Sequence, residues 1–338
     1  MFKSDIPLID SYSIQFHNGC LLRNDQPCQL PEGVIVDSRE NAKLDGVGFY
    51  VFIPAGIKLS KPIQITNLYD TSVQTSNLVV VEPGSSAELL ISDYSISDEL
   101  DTSTLPSPVE RGRGEVYDTT EITLGDSANL EMVRLQKMNT VTCLTTDTMV
   151  QQAASSRMRT HYITLGGRNI NNSMKVKLTG KNAEHIAAGL SLSQQNENVN
   201  NNMLIVHATP DCQSKQLFKN ILSDKSTGAY TGRIVVDKDA QKTVAYQRSN
   251  NILLHPEAKM NICPQLEIYA DDVKCSHGAT VGQLDAQAVF YMRSRGIDED
   301  EAKKMLLHAF AREVLDSITC MSFRENILRL TEQYLMVG

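Results

Sequence analysis

The chain has 338 residues, enough to bury a large core as one long domain or two. Its 32 Lys and Arg stand against 40 Asp and Glu, a formal net charge of −8 with no long basic run, which argues against nucleic acid as its main partner. No stretch approaches the roughly 18 apolar residues that span a bilayer; with 6% aromatic residues and no tryptophan, small and branched aliphatics must fill the interior, which suits the narrow coils of a solenoid.

The start, Met1–Phe16, carries acidic residues and no apolar run, so it does not read as a signal peptide. The seven cysteines (Cys20, Cys28, Cys143, Cys212, Cys263, Cys275 and Cys320) are scattered, odd in number and free of any CxxC pair. That is no disulfide framework, and a reducing cytoplasm is the expected location.

Residues 1–45 form a mixed, polar N-terminal segment with weak strand signals such as Gly33–Val36. From 46 to 283 the chain reads as β structure. Short apolar runs at Val51–Ile53, Ile63–Ile65, Leu78–Val81 and Ala87–Ile91 are punctuated by Pro54, Gly56 and Glu82-Pro83-Gly84. Ser95–Asp118 is polar and reads as a loop or disordered insertion. Strands resume at Glu121–Leu124, Leu130–Leu135 and Arg159–Leu165, and Met174, Val176 and Leu178 alternate with Ser173, Lys175 and Lys177. The asparagine-rich tract 194–202 reads as a turn. Strands at irregular intervals without intervening helices fit a sandwich, a barrel or a β-solenoid, and no strict repeat period selects among them.

Val273-Lys274-Cys275-Ser276-His277 is a further strand, which Gly278 can end. Side chains two apart share a face, so Val273, Cys275 and His277 lie together. Residues 284–338 change to a helical period. Asp285 caps a helix over Ala286–Arg295, with Gly296 at its C′ position. Asp298 opens a second helix with an apolar stripe of Ala302, Met305, Leu306, Ala309, Phe310 and Val314. Ser322 and Glu325 cap a third.

The stretch DDVKCSHGATVGQLD (Asp271–Asp285) with FYMRSRGI (Phe290–Ile297) resembles the C-terminal signature of the SufB/SufD family, the scaffold subunits of the Suf iron–sulfur cluster assembly system. The likeness runs upstream through Asp239–Ala258 and Cys212–Leu222 and, more faintly, Val51–Ile65. Where the SufB branch carries a His-Glu-Ala version, this chain has Cys275-Ser276-His277-Gly278, which favours the SufD branch.

The resemblance implies a mainly β fold: a right-handed parallel β-helix core with a C-terminal α-helical subdomain. It implies a scaffold that pairs with SufB through the ends of the β-helices and docks the SufC ATPase through its C-terminal helices. Phe290, Arg293, Arg295, Gly296 and Ile297 are the docking candidates. His277 matches a histidine near the proposed cluster-building site, and SufB would supply the principal cysteine and a glutamate. The implied cargo is a transient iron–sulfur cluster or iron at the subunit interface, with nothing tightly bound in the isolated chain. The resemblance also implies an N-terminal helical region before the β core, as family members usually carry; with strands beginning within about fifty residues, that region is expected to be short or absent here.

Iron–sulfur chemistry needs thiolates, sometimes with imidazole, and Cys275 and His277 are of the right types. Two residues do not complete a four-ligand site, so a partner or another segment must contribute. Cys212 and Cys263 are weaker candidates, and a strand cysteine is as often a small buried hydrophobe as a ligand. The enzyme readings fail: the chain has no phosphate-binding loop, no Rossmann glycine spacing, no nucleophile elbow and no His-Glu-x-x-His. ATP hydrolysis is expected in SufC, and an independent thiol hydrolase is a distant alternative. The closer alternative is a homodimer that stores or delivers iron or a cluster without SufB.

Overall fold

The computed structural model describes residues 9–23, 30–96 and 114–337. Among them, nineteen strands form two sheets and three helices follow. The strands are β1 (Tyr12–His17), β2 (Cys20–Arg23), β3 (Ile35–Ser38), β4 (Phe49–Ile53), β5 (Ile63–Tyr69), β6 (Val73–Val81), β7 (Ser86–Ser95), β8 (Glu115–Leu124), β9 (Asn129–Lys137) and β10 (Cys143–Gln152). Then come β11 (Arg157–Leu165), β12 (Asn169–Leu178), β13 (Glu184–Ser193), β14 (Asn198–His207), β15 (Gln213–Leu222), β16 (Thr227–Val236), β17 (Thr243–Leu253), β18 (Lys259–Ile268) and β19 (Val273–Gly282). The helices are α1 (Ala286–Ser294), α2 (Glu299–Leu315) and α3 (Met321–Val337).

From β5 onward odd-numbered strands pair in parallel in one sheet and even-numbered strands in the other, so the chain alternates sheets and climbs one rung per turn. This is a β-solenoid of about seven turns. Asn129 pairs with Arg157, Arg157 with Glu184 and Glu184 with Gln213, steps of 28, 27 and 29 residues. These unequal steps hide the repeat from a search for a fixed period.

The repeat is instead written in the corners. Ser127, Ser155, Asn182, Asp211 and Lys242 all take positive φ, and each is followed by a small or medium buried residue: Ala128, Ser156, Ala183, Cys212 and Thr243. These stack through backbone bonds one turn apart, Arg157 to Ala128, Glu184 to Ser156, Gln213 to Ala183 and Val244 to Cys212. Cys212 therefore occupies a packing position of the coil.

The two sheets differ in what covers them. The nine-stranded sheet keeps its outer face in water, so β8, β10 and β12 alternate buried and exposed positions. The outer face of the ten-stranded sheet lies under α2 and α3, and β9, β11, β13 and β15 are buried in continuous runs. Leu90, Val133, Leu135, Ile163, Leu190 and Leu192 meet Leu307, Val314, Phe323 and Ile327 there in one apolar cluster.

Several sequence expectations change. Strand enters the loop expected at 95–118 from both ends, since Ser95 closes β7 and Glu115–Asp118 open β8; the rest of that expectation, 97–113, lies outside the described residues. Asp118 is fully buried by ion pairing, a role its polarity disguised. The asparagine tract is mostly strand, since asparagine amides bond rung to rung: Asn172 donates to Asn201 at 3.0 Å and Asn200 to Asn171 at 2.8 Å. The stripe of α2 is rotated. Met305 and Ala309 are exposed, while Ala302, Leu307, Ala311, Val314 and Leu315 are buried, because apolar residues flank both faces and the sheet selects one. Helix α3 begins at Met321, so Ser322 lies inside it. Strand β19 continues through Gly278 to Gly282, held by its ladder to β17. Tyr12–His17 and Ile35–Ser38 belong to the same two sheets as the core.

Candidate functional site

Both sheets end at the same end of the solenoid. Among the described residues, strand β19 pairs only with β17, and β18 only with β16, leaving each with one edge unpaired there. Each is ten residues long, and β19 is exposed over most of its length. A long bare edge presents a row of free backbone donors and acceptors to any strand that can pair with it.

Cys275 and His277 sit on this edge strand. Cys275 registers with Ala245 and His277 with Gln247, both inward-facing residues of β17. Cys275 is half-buried and packs against the last layer of the core, with Ile234, Val236, Ala240, Ala245 and Ala270. Burial pushes its thiol above the ordinary value, and a backbone hydrogen bond at Ala245 partly offsets this. His277 is exposed at the open end. Beneath it, Gln247 is buried and donates Nε2–H to the Tyr230 hydroxyl at 3.1 Å, while its Oε1 has no partner among the described residues. Also among the described residues, no group of three or more His, Cys, Asp or Glu is arranged to hold a metal ion. The edge thus carries two residues of ligand type, with no third beside them among the described residues.

The other thiols are elsewhere. Cys212 is buried in a corner, with its sulfur on the carbonyl of Gly180 at 3.3 Å. It lies two rungs, about 9.5 Å, from β19 along the stack, with Thr243 between. Cys263 is exposed and faces away from Met260, Ile262 and Leu266, which point inward. Neither joins Cys275. His185 and His207 are interior: His185 Nδ1 meets Gln152 at 2.7 Å and His207 Nε2 meets Ser214 at 2.8 Å.

The docking candidates surround α1, which buries no residue. Phe290 is 72% exposed and its neighbour Tyr291, which sequence reading passed over, 59%. Arg293 pairs with Glu299 at 3.0 Å, and Arg295 stacks 5.2 Å from the Tyr291 ring. Gly296 has φ +86, a left-handed turn that lets Ile297 lead into the Asp298 cap of α2. Behind this surface α2 is tied to the sheet. Lys219 of β15 donates to the Phe310 carbonyl at 2.9 Å and pairs with Glu313, which also takes Arg248 of β17. Glu313 lies below the usual carboxylate value, chiefly through the Lys219 hydrogen bond. These ties were invisible to sequence because they join residues 65 or more positions apart.

A parallel solenoid with a bare edge carrying Cys275 and His277 and a separate exposed helical surface has the architecture of a scaffold class. Residues 64–310 match the family described as SUF system FeS cluster assembly, SufBD core domain. The chain is 34% identical over 217 residues to the iron–sulfur cluster assembly protein SufD of Escherichia coli, covering 64% of this chain and 51% of that protein. It is 31% identical over 284 residues to a SufBD family protein of Synechocystis, covering 81% and 60%. It is also 31% identical over 208 residues to the chloroplastic protein ABCI7 of Arabidopsis thaliana, covering 61% and 43%. This chain belongs to the SufB/SufD family and is SufD-like. It spans about half the length of these curated relatives. Among the described residues no helix is long and apolar enough to cross a membrane.

Proposed function

We propose that this chain is a scaffold subunit of a cytoplasmic Suf complex. It pairs with SufB through the open β18–β19 end, docks the SufC ATPase through α1 and the start of α2, and presents His277 and Cys275 to iron or a nascent cluster held transiently between the subunits. The observation that supports this reading is that Cys275 and His277, both of ligand type, share an edge strand with no third such residue grouped with them among the described residues. A site so divided is completed by a strand laid against β19, which would bring its own ligands beside His277. The chain turns over nothing alone. Its part is to hold ligands, to acquire iron with its partner, and to pass movement of the ATPase from α2 to β17 through Glu313, Lys219 and Arg248.

The test is iron and acid-labile sulfide in the co-expressed complex of this chain with SufB and SufC, purified without oxygen, comparing wild type with His277→Ala. Intact assembly with lost cluster is expected. Unchanged cluster content removes His277 from the site. Failure of the complex to form overturns the partnership itself.

A further inference from the structure

The outer face of the ten-stranded sheet and the turn between α2 and α3 enclose a cavity of about 260 Å³. Among the described residues none of β18, β19 or α1 lines it. Glu88 of β7, Glu131 of β9 and Arg159 of β11 are successive rungs of one row along it. Thr319 of the α2–α3 turn closes it over the two carboxylates.

The carboxylate side of this cavity has more acceptors than hydrogens. The Thr319 hydroxyl lies 3.1 Å from Glu88 Oε1 and also contacts Glu131 Oε2, and its one hydrogen cannot serve both. The Thr319 N–H reaches only Glu131, at 3.1 and 3.2 Å from its two oxygens. A third acceptor lies beneath. The Ser317 hydroxyl donates to the Val314 carbonyl at 2.6 Å, so its oxygen accepts from His161 Nε2–H at 2.9 Å. Burial, with Arg159 adding to it, lowers His161 to about 4, so the ring is neutral and Nδ1 carries a bare lone pair. That buried nitrogen has no hydrogen-bond partner among the described residues and stands 3.6 Å from Glu131 Oε1, acceptor against acceptor. Acceptors so crowded call for a donor-rich cation beside them.

A metal ion does not suit this place, since among the described residues no three His, Cys, Asp or Glu are arranged to hold one. An ammonium group does, with three donors and no acceptor. On the next rung Arg159 makes no hydrogen bond or ion pair among the described residues, and a free guanidinium fork matches a carboxylate. We infer that this cavity binds a small α-amino acid, its ammonium held by Glu88 and Glu131 and its carboxylate by Arg159. Both charges sit on one carbon, which suits rungs about 4.8 Å apart. The volume lies below the roughly 300–1,000 Å³ of sites for drug-sized ligands. Leu59 and Ile186 supply apolar wall, so a short aliphatic side chain is accommodated. Thr319 belongs to the α2–α3 turn, so the bound ligand would clamp that turn to β7, β9 and β11. The inference draws on neither SufB nor SufC.

The test titrates the full chain with L-valine by calorimetry, and in parallel with isobutylamine and isovalerate, which keep the side chain and one charge each. Saturable binding of one L-valine per chain is expected, with each fragment at least about tenfold weaker. Glu88→Gln and Arg159→Met should each weaken L-valine about tenfold or more, the factor for losing a hydrogen bond to a charged group. Arg159→Lys keeps the charge but loses the fork, and should fall between wild type and Arg159→Met. Amide exchange at Thr319 should slow when L-valine is bound. No binding of L-valine, a fragment that binds as tightly as L-valine, or wild-type affinity in either Glu88→Gln or Arg159→Met overturns the inference.

Discussion

Arg134 Nη1 donates to Asp118 at 2.7 Å through the middle of the solenoid, joining β9 of one sheet to β8 of the other. Its Nε donates to Asp93 of β7 at 2.6 Å, and all three side chains are almost wholly buried. The guanidinium thus joins β7 to β8, the consecutive described strands Ser86–Ser95 and Glu115–Leu124. Burial pushes both carboxyls up. At Asp118, Arg134 and the hydrogen bonds of Thr75 and Asn77 more than reverse this, leaving it below its usual value, while Asp93 stays above.

Removing the guanidinium leaves two carboxylates facing each other out of water. Arg134→Met should therefore cost about 3–5 kcal/mol, read from the urea midpoint. Adding Asp93→Asn and Asp118→Asn should restore much of that loss, because neutral amides carry no buried charge. A loss below about 1 kcal/mol in the single variant would mean that water reaches the triad.

Stability should fall steeply in mild acid. Burial is the main cause in each of three histidines: it lowers His161 to about 4, with Arg159 adding to the effect, His207 to about 4, and His185 to about 3, with His207 adding. Their ordinary value is 6.5, so below it the unfolded chain takes up protons that the folded chain refuses. Stability present above about pH 6.5 is thus lost as pH falls toward 4, at about 1.4 kcal/mol per pH unit for each histidine. Glu131 and Glu197, raised by burial, bind protons more readily when folded and oppose part of this slope near its acid end. Urea midpoints taken across pH 7 to 4 should flatten by one proton's worth in His185→Gln. An unchanged slope would show that His185 is not held neutral.

Most of the architecture was legible because local rules wrote it. Alternation marked the strands of the bare sheet, and Asp285, Gly296 and Asp298 marked the ends of α1 and α2. The two-sheet coil was legible through the SufB/SufD resemblance and not through local pattern, because its own signal is a positive-φ corner followed by a small buried residue at unequal steps, as at Asn182-Ala183 and Asp211-Cys212. The placement of the candidate residues was half legible. The spacing of Cys275 and His277 gave their shared face, and the SufD-like motif gave their interest. That β19 is a bare edge, that Cys263 turns away and that Cys212 is sealed in a corner depend on strand order, which no local pattern encodes. The α2 stripe failed for a similar reason, since either face of α2 could have met a sheet.

At the far end of the covered face, the Tyr334 hydroxyl of α3 donates to the buried Glu197 carboxylate at 2.6 Å. Gln194 and Gly167 backbone N–H groups reach the same carboxylate, so Glu197 keeps partners when the phenol is gone. Tyr334→Phe should cost about 1.5–3 kcal/mol, the range for a hydrogen bond to a charged group. Hydrogen exchange should rise first in the last turns of α3 and not in β18 or β19. Exchange rising evenly over the solenoid would mean that α3 is no separate unit of opening.

The helical tail divides into a face that holds the fold and a face that does not, and substitutions should divide with it. Leu307 and Val314 are buried against the covered sheet, so Leu307→Ala should cost about 2–5 kcal/mol. Phe290 and Tyr291 are largely exposed, and the Arg295 guanidinium that meets Tyr291 is itself exposed, so changing both to Ala should move stability by no more than about 0.5 kcal/mol. Two large aromatics kept in water are costly to solubility, and such residues carry a disproportionate share of binding energy when a partner covers them. If α1 is the docking surface, the double variant should lose at least about 2 kcal/mol of affinity for SufC, roughly 30-fold, in a calorimetric titration. Arg293 is already paired with Glu299, so Arg293→Ala should do less. Full SufC affinity in the Phe290/Tyr291 variant would move the docking surface away from α1, toward the exposed side of α2 around Met305.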